Sequence, residues 1–129
     1  MLGLSLEQRQ ALVRPREAFE EALGAVMAER RGIFQRMRGL AVAQGQVVLN
    51  DVTAQWVATN EVSSELKINL AAGHEACMRF LAASIGAVFS HRQRAAAFVA
   101  AWPVFPDVYT LVAAACEGLP AAALASVAE

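Results

Sequence analysis

The chain has 129 residues, a formal net charge of −1 at pH 7 and 57% hydrophobic residues, and 28 of its residues are alanines. This length suits one domain, and the composition excludes a disordered acidic or basic tail, a collagen-like repeat and a disulfide scaffold. Abundant alanine, with only 8 glycines and 4 prolines, favours helices.

The first helix is predicted to begin at Ser5, because Ser5 and Gln8 have the spacing of a capping box. Pro15 follows, and a proline inside a helix removes one hydrogen bond and clashes with the preceding turn. We therefore expect either a short helix that ends near Arg14 or a kink, followed by one long helix over residues 16–44. Three glycines weaken the long helix by about 1 kcal/mol each relative to alanine: Gly24, Gly32 and Gly39.

Residues 45–50 are predicted to form a connection, and the Asn50-Asp51 pair suits the start of a second long helix over residues 51–89. A second capping box, Ser90 with Gln93, predicts a third helix over residues 91–101 that stops before Pro103. A fourth helix is expected to start at Pro106-Asp107 and to end at Cys116 or Glu117.

The predicted fold is all-α, a long two-helix antiparallel hairpin with two short C-terminal helices, because two long helices joined by a short connection most simply pair in this way. We expect one helical domain over residues 1–117 and an alanine-rich tail over residues 118–129, either a frayed helix or a disordered end. Trp102, Phe105 and Tyr109 are expected to fill a corner near the short helices.

The main pattern is a row of large apolar residues at every seventh position. A strict seven-residue repeat keeps one helix face against a partner helix. The positions four residues further on are mixed, which makes a poor two-stranded zipper. The row consists of Leu12, Phe19, Val26, Ile33, Leu40 and Val47. A related pattern in the second helix includes Val52, Trp56, Leu66, Leu70, Cys77 and Phe80.

The apolar row has two interpretations. Either all of it is intramolecular core, or part of it binds a second chain, as a homodimer or with a helical partner. A hairpin of this length has one thin interface, and several hundred Å² of exposed apolar surface usually marks an interaction site. In the second interpretation the row, together with Trp102, Phe105 and Tyr109, supplies the interaction residues.

The residues offer little for catalysis, a metal or a cofactor. His74-Glu75 begins a zinc-protease helix motif, but Met78 stands where the second histidine is required. With two histidines, no Gly-x-Ser-x-Gly turn and no phosphate loop, we do not expect an enzyme. Cys77 and Cys116 have apolar neighbours in the sequence and are predicted to be reduced and buried.

An alternative function is that of a small carrier, with an apolar pocket between the stripe over residues 80–89 and the residues Trp102, Phe105 and Tyr109. Binding of nucleic acid through this chain alone is not expected, because the arginines over residues 30–38 lie inside the heptads and not ahead of them. We find no secretory signal and no apolar stretch of about 18 residues, so the chain is predicted to be soluble and intracellular, without a membrane partner.

Three segments together resemble the helical region that follows the basic leucine zipper in green-algal bZIP-like proteins. These are LSLEQR over residues 4–9 ahead of the arginine-rich AERR over residues 28–31, the stretch over residues 80–89, and WPVFPD over residues 102–107 ahead of an alanine- and valine-rich helix. The resemblance implies a nuclear, transcription-associated protein whose helical part serves regulation or partner binding. The chain lacks the basic region with its asparagine and arginines, so no DNA-reading residue is carried over.

Overall fold

A computed structural model describes residues 2–44 and 52–127, and these residues form helices and turns without a strand. The predicted all-α fold, with a long two-helix hairpin and short C-terminal helices, is confirmed. The predicted connection over residues 45–50 lies outside the described residues. In chain order the helices are α1 Leu6–Ala11, α2 Val13–Gln44, α3 Val52–Leu81, α4 His91–Ala101, α5 Val108–Glu117 and α6 Ala121–Ala125, and a π-helical turn, Ala82–Gly86, follows α3.

The chain divides into two compact units. The first unit combines residues 1–21 with residues 77–129, and the second consists of residues 22–76. Helices α2 and α3 therefore each contribute to both units. Leu119 and Ala123, from the predicted tail over residues 118–129, are buried in the core of the first unit, and Ala123 lies in α6.

The break between α1 and α2 falls at Leu12, three residues before the Pro15 that was expected to cause it. Pro15 is the third residue of α2, and an N–H in the first turn of a helix has no partner within that helix. The proline is tolerated there, while its missing N–H and its ring act on the carbonyl of Ala11, four residues earlier, where α1 ends. The short first helix is thus present, and it ends three residues before the predicted end near Arg14.

Both predicted capping boxes are present, and they hydrogen-bond to each other. Each serine hydroxyl accepts from the backbone N–H three residues later, and each glutamine accepts from the backbone N–H of its serine. The Gln8 amide donates from Nε2 to Gln93 Oε1 at 2.9 Å, and Gln93 Nε2 donates to Gln8 Oε1 at 3.1 Å. The starts of α1 and α4 are thereby joined.

The core of the first unit is an apolar cluster around the fully buried Leu12 and Val112. The α-helical part of α3 ends at Leu81, and the wider π turn follows it, where the sequence predicted an α-helix up to Phe89. In that turn the buried Ser84 hydroxyl donates to the Phe80 carbonyl at 2.6 Å. The wider turn is compatible with Phe80, Ile85 and Phe89 all contributing to the cluster.

In the second unit, the C-terminal part of α2 pairs antiparallel with the N-terminal part of α3. Arg36 forms a salt bridge with Glu65, while Arg30, earlier in α2, donates from Nε to Asn69 Oδ1 at 2.8 Å. Asn69 is 1% exposed, and its Nδ2 also donates to the Val26 carbonyl at 2.9 Å. A buried asparagine between paired helices sets their register, because a shift would leave its amide unpaired.

Three glycines of α2 offer a route to higher stability. A Cβ atom added at Gly24, Gly32 or Gly39 would meet no atom within 4 Å. Each Gly→Ala substitution is expected to raise the free energy of unfolding by about 0.5–1 kcal/mol, because alanine has less backbone freedom to lose. Urea titration should show a higher midpoint with an unchanged slope.

Gly73 of α3 is the control for these substitutions. A Cβ there would lie 3.1 Å from Arg30 Nη2 and 3.4 Å from Val26 Cγ1, so in Gly73→Ala the Arg30 side chain must shift by a few tenths of an ångström. We expect it to give a smaller gain than the α2 substitutions, or a loss. Equal gains at all four positions would contradict this account.

Candidate functional site

The structure places the seven-residue row at different depths. Leu12 and Ile33 have no exposed surface, as the intramolecular interpretation predicts for these two positions. Phe19, Val26 and Leu40 are half-buried, and Val47 lies outside the described residues. The surface beside the row is therefore a better place to look for binding than its centre.

The predicted aromatic corner is not formed as expected. Trp102 is 82% exposed and Phe105 is 61% exposed, so neither fills a core position. Trp102 lies at the C-terminal end of α4, and Phe105 lies in the turn that follows it. Tyr109 instead packs on another pair of rings, with its centroid 5.8 Å from that of Phe19 and 6.2 Å from that of Phe80.

One side of the helix pair in the second unit is marked by polar contacts. The Arg36–Glu65 salt bridge and the 3.2 Å hydrogen bond from Asn69 to Glu29 lie there. Residues two positions apart in a helix point about 200° from each other. Met27 is two residues before Glu29, and Phe34 is two residues before Arg36. Both therefore face the opposite side.

Large apolar side chains of α3 lie on that same opposite side. Leu66, Leu70 and Trp56 point roughly 100°, 140° and 180° away from Glu65 around the helix. Arg36 of α2 and Glu65 of α3 meet on one side of the antiparallel helix pair. The residues that point the opposite way on α2 therefore lie next to those that point the opposite way on α3. We call the resulting surface the apolar face. It consists of Met27, Phe34, Trp56, Leu66 and Leu70, together with Met37, which is three residues from Phe34 and so adjoins it on α2.

The apolar face is open to solvent. Trp56 is 70% exposed, Leu70 is 50% exposed and Phe34 is 45% exposed, while Leu66 is half-buried. Isolated exposed apolar residues are ordinary, but a contiguous group of this size is typical of an interaction site. The face is therefore the strongest candidate functional surface of the second unit.

The sequence pattern included Trp56 and Leu70 among the apolar residues of the second helix, whereas Met27 and Phe34 were not predicted as interaction residues. The available signal was their own seven-residue spacing. Met27 and Phe34 directly follow Val26 and Ile33 of the seven-residue row. That parallel row is visible in the sequence. Which side of the hairpin it joins becomes clear only from the pairing of α2 with α3.

The described residues were also compared with the requirements of a metal site, a reactive cysteine and a membrane-spanning helix. Within residues 2–44 and 52–127, no three His, Cys, Asp or Glu side chains are grouped so that they could hold a metal ion. Cys116 is buried, and burial raises the pKa of its thiol, which keeps it protonated and a poor nucleophile. Cys77 is exposed, so the prediction of two buried cysteines was wrong for this one. None of the described helices carries an apolar stretch long enough to cross a membrane.

The first unit contains an open groove of about 520 Å³. Ala96, Ala97, Ala100 and Ala101 of α4 line it, together with Leu2, Pro106, Asp107, Thr110 and Leu111. This groove is not bounded by Trp102, Phe105 and Tyr109, the residues around which an apolar pocket was expected. Its volume lies within the range of small-molecule sites.

Beside the aromatic cluster, Glu20 is held by two donors. Arg16 Nε and the Tyr109 hydroxyl each lie 2.8 Å from Glu20 Oε1. The hydrogen bond from Arg16, and then that from Tyr109, lowers the pKa of the Glu20 carboxyl below its ordinary value of 4.5. A carboxyl whose pKa is lower in the folded chain stabilises the fold above its unfolded pKa, and this contribution is lost as the pH falls through the folded pKa.

Glu20→Gln is expected to make the stability of the first unit less dependent on pH below about 4.5. Both hydrogen bonds can persist, but they no longer involve a charged acceptor. Thermal melts between about pH 3 and pH 6 should show the wild type converging on the variant as the pH falls. Tyr109→Phe removes one donor and should give an intermediate profile. Parallel profiles for wild type and Glu20→Gln would contradict the assignment.

Comparison of the chain with protein-family models, with curated proteins and with solved structures finds no match. No relative therefore supplies a residue role. The functional argument depends on the packing, exposure and charge of this chain's own side chains.

Proposed function

We propose that this chain is a non-catalytic helical module that binds another protein, either a second copy or a helical partner, through the apolar face. The observation that carries the proposal is the position of six large apolar side chains on one side of two paired helices. Apolar surface exposed to water costs roughly 25 cal/mol per Å², and a partner helix would remove it from water. Methionines and aromatic rings are the residue types favoured at such surfaces.

Site-specific photo-crosslinking tests this proposal. A photoreactive amino acid is placed at Leu70, on the apolar face, or at Ile68, which is 70% exposed and points about 200° away on the same helix. In cells that make the chain, the probe at position 70 is expected to form protein adducts, and the probe at position 68 is not. An adduct with the mass of two chains identifies self-association. No adduct at either position, or equal adducts at both, would overturn the proposal.

The cellular setting that we propose is transcriptional regulation, on the strength of the resemblance to the region after the basic leucine zipper in green-algal bZIP-like proteins. The module would then serve partner choice while another polypeptide segment contacts DNA. A fluorescent fusion of the full chain is expected to accumulate in the nucleus. An even distribution between nucleus and cytosol would contradict this setting.

A second candidate function, that of a carrier for an apolar small molecule, is favoured by the groove in the first unit. Its alanine wall suits a slender, unbranched ligand, since small side chains let the ligand approach the helix closely. Ala100 is exposed, so Ala100→Trp should fill the groove without disturbing the core. Native mass spectrometry is expected to show an apolar ligand on the wild type and none on the variant, and a bare wild-type mass would argue against the carrier.

A further inference from the structure

The charges of the second unit are sorted between the two sides of the helix pair. Arg31 and Arg38 lie three and four residues from Phe34, and Lys67 lies three residues from Leu70, which is the spacing of neighbours on a helix surface. All three are exposed. Arg30, half-buried, projects beside the same face, where it approaches Gly73. The apolar face therefore has a basic border.

The acidic residues of the described part of this unit lie on the other side. Glu29 and Glu65 mark that side through their contacts with Asn69 and Arg36. Glu61 and Glu75 are each seven residues from Ile68, and so share its side of α3. Among the described residues of the second unit, no carboxylate borders the apolar face.

We propose that the occupant of the apolar face is an acidic amphipathic helix of another protein, with leucine-like residues on one stripe and aspartate or glutamate beside them. This inference deepens the proposed protein-binding function and rests on it. The apolar stripe would cover Phe34, Leu66 and Leu70, and the flanking carboxylates would meet Arg31, Arg38 and Lys67. Complementary charge around an apolar centre gives such an interface its specificity and its association rate.

The shape of the face favours a helix as the occupant. Leu66 is half-buried and Met37 is 36% exposed, the lowest exposures on the apolar face, and both point towards the line where α2 and α3 meet. A third helix, about 10 Å across, fits the groove between two paired helices, whereas a flat bilayer surface would rest mainly on the outer side chains of the face. From Trp56 to Leu70 the face is roughly 21 Å long, which matches about four turns of a partner helix.

A second copy of the chain fits the face less well. In a two-fold dimer the same surface of each copy meets the other, so the basic borders of the two copies would lie against each other. Like charges opposed across an interface are unfavourable and act against that pairing. The acidic helix has no such conflict.

Direct binding of designed probes to the full chain tests the inference. The first probe is a labelled helical peptide of about 18 residues with leucines at positions i, i+3, i+4 and i+7 and glutamates beside them. The second has lysine in place of every glutamate, and the third is vesicles of phosphatidylcholine with and without phosphatidylglycerol. The glutamate peptide is expected to bind at least about tenfold more tightly than the lysine peptide, and this preference should weaken in high salt.

Matched variants locate the binding. Leu70→Lys is expected to lower the affinity for the glutamate peptide by about tenfold or more, while Ile68→Lys on the opposite side changes this affinity by less than about twofold. Arg31→Gln with Arg38→Gln lowers the charge by two beside the face, and is expected to weaken binding by about tenfold. The control, Gln35→Glu with Ser64→Glu, lowers the charge equally on other surfaces of the helices and should have little effect. Circular dichroism confirms that each variant is folded.

The outcomes separate this inference from the function on which it rests. Equal binding of both peptides, no binding of either, stronger binding to anionic vesicles, or loss of binding in both Lys variants would overturn it. A crosslinked partner at position 70 that lacks an acidic amphipathic helix, or that is a second copy, would also overturn it while leaving the protein-binding function in place. The absence of any crosslinked protein at position 70 would overturn both.

Discussion

Replacing Leu12 by alanine is expected to lower the free energy of unfolding of the first unit by about 3 kcal/mol. The Leu12 side chain has no exposed surface and lies in the main apolar cluster. Its backbone is held on both sides, because its N–H donates to the Arg9 carbonyl and its carbonyl accepts from the Arg16 N–H. The site therefore has little freedom to close around the missing methyl groups, and most of the cavity should remain.

Denaturant unfolding of the wild type and of Leu12→Ala measures this loss. The control is Leu6→Ala in the neighbouring α1, where the side chain is 51% exposed, and we expect a change of less than about 0.5 kcal/mol. Similar losses from the two substitutions would show that Leu12 is not the packing centre described here.

Asn69→Asp is expected to destabilise the second unit by about 2–4 kcal/mol at neutral pH. The substitution keeps the shape of the side chain but removes the Nδ2 donor that serves the Val26 carbonyl and Glu29. It also places a second carboxylate next to Glu29 at a position that is 1% exposed. Arg30 Nε can still donate to the remaining oxygen, and it offsets only part of this cost.

The pH dependence of Asn69→Asp gives a sharper test. Burial and the adjacent Glu29 should raise the pKa of the introduced carboxyl in the folded chain above its unfolded value of about 3.9, and Arg30 opposes only part of this rise. The electrostatic part of the cost is then absent below that value and grows as the pH rises towards the folded pKa. Asn60→Asp, the same change at an exposed position of α3, should cost little at any pH. A pH-independent loss at position 69 would exclude the electrostatic explanation.

Local signals accounted for most helix boundaries. The two capping boxes, Pro103 and Asp107 each act through atoms within a few residues of themselves, so their effect can be read without the tertiary structure. The predicted third helix, His91–Ala101, agrees with α4 at both ends. The end of the first helix was predicted three residues too late because Pro15 acts on the carbonyl of Ala11, four residues before it, and not on its immediate neighbour.

The candidate surface could be predicted only in part. A row at every seventh position identifies the centre of a helix interface, and it correctly included Ile33. The row does not reveal which flank remains open, because that depends on how α3 is aligned against α2. Leu70 and Ile68 show the difficulty, since both are apolar and exposed, yet Leu70 lies beside Lys67 while Ile68 lies on the side of the glutamates. The Asn69 contacts, which set this alignment, had no distinct signal in the sequence.

The non-contiguous first unit has a consequence for the order in which the chain acquires its structure during synthesis. Residues 2–21 are synthesised well before the groups that complete their core, which lie between Phe80 and Ala123. The intervening second unit forms contacts of its own, among them those of Arg36 with Glu65 and of Arg30 with Asn69. The second unit can thus mature early, while residues 2–21 stay exposed to chaperones and proteases until the segment up to Ala123 has been made.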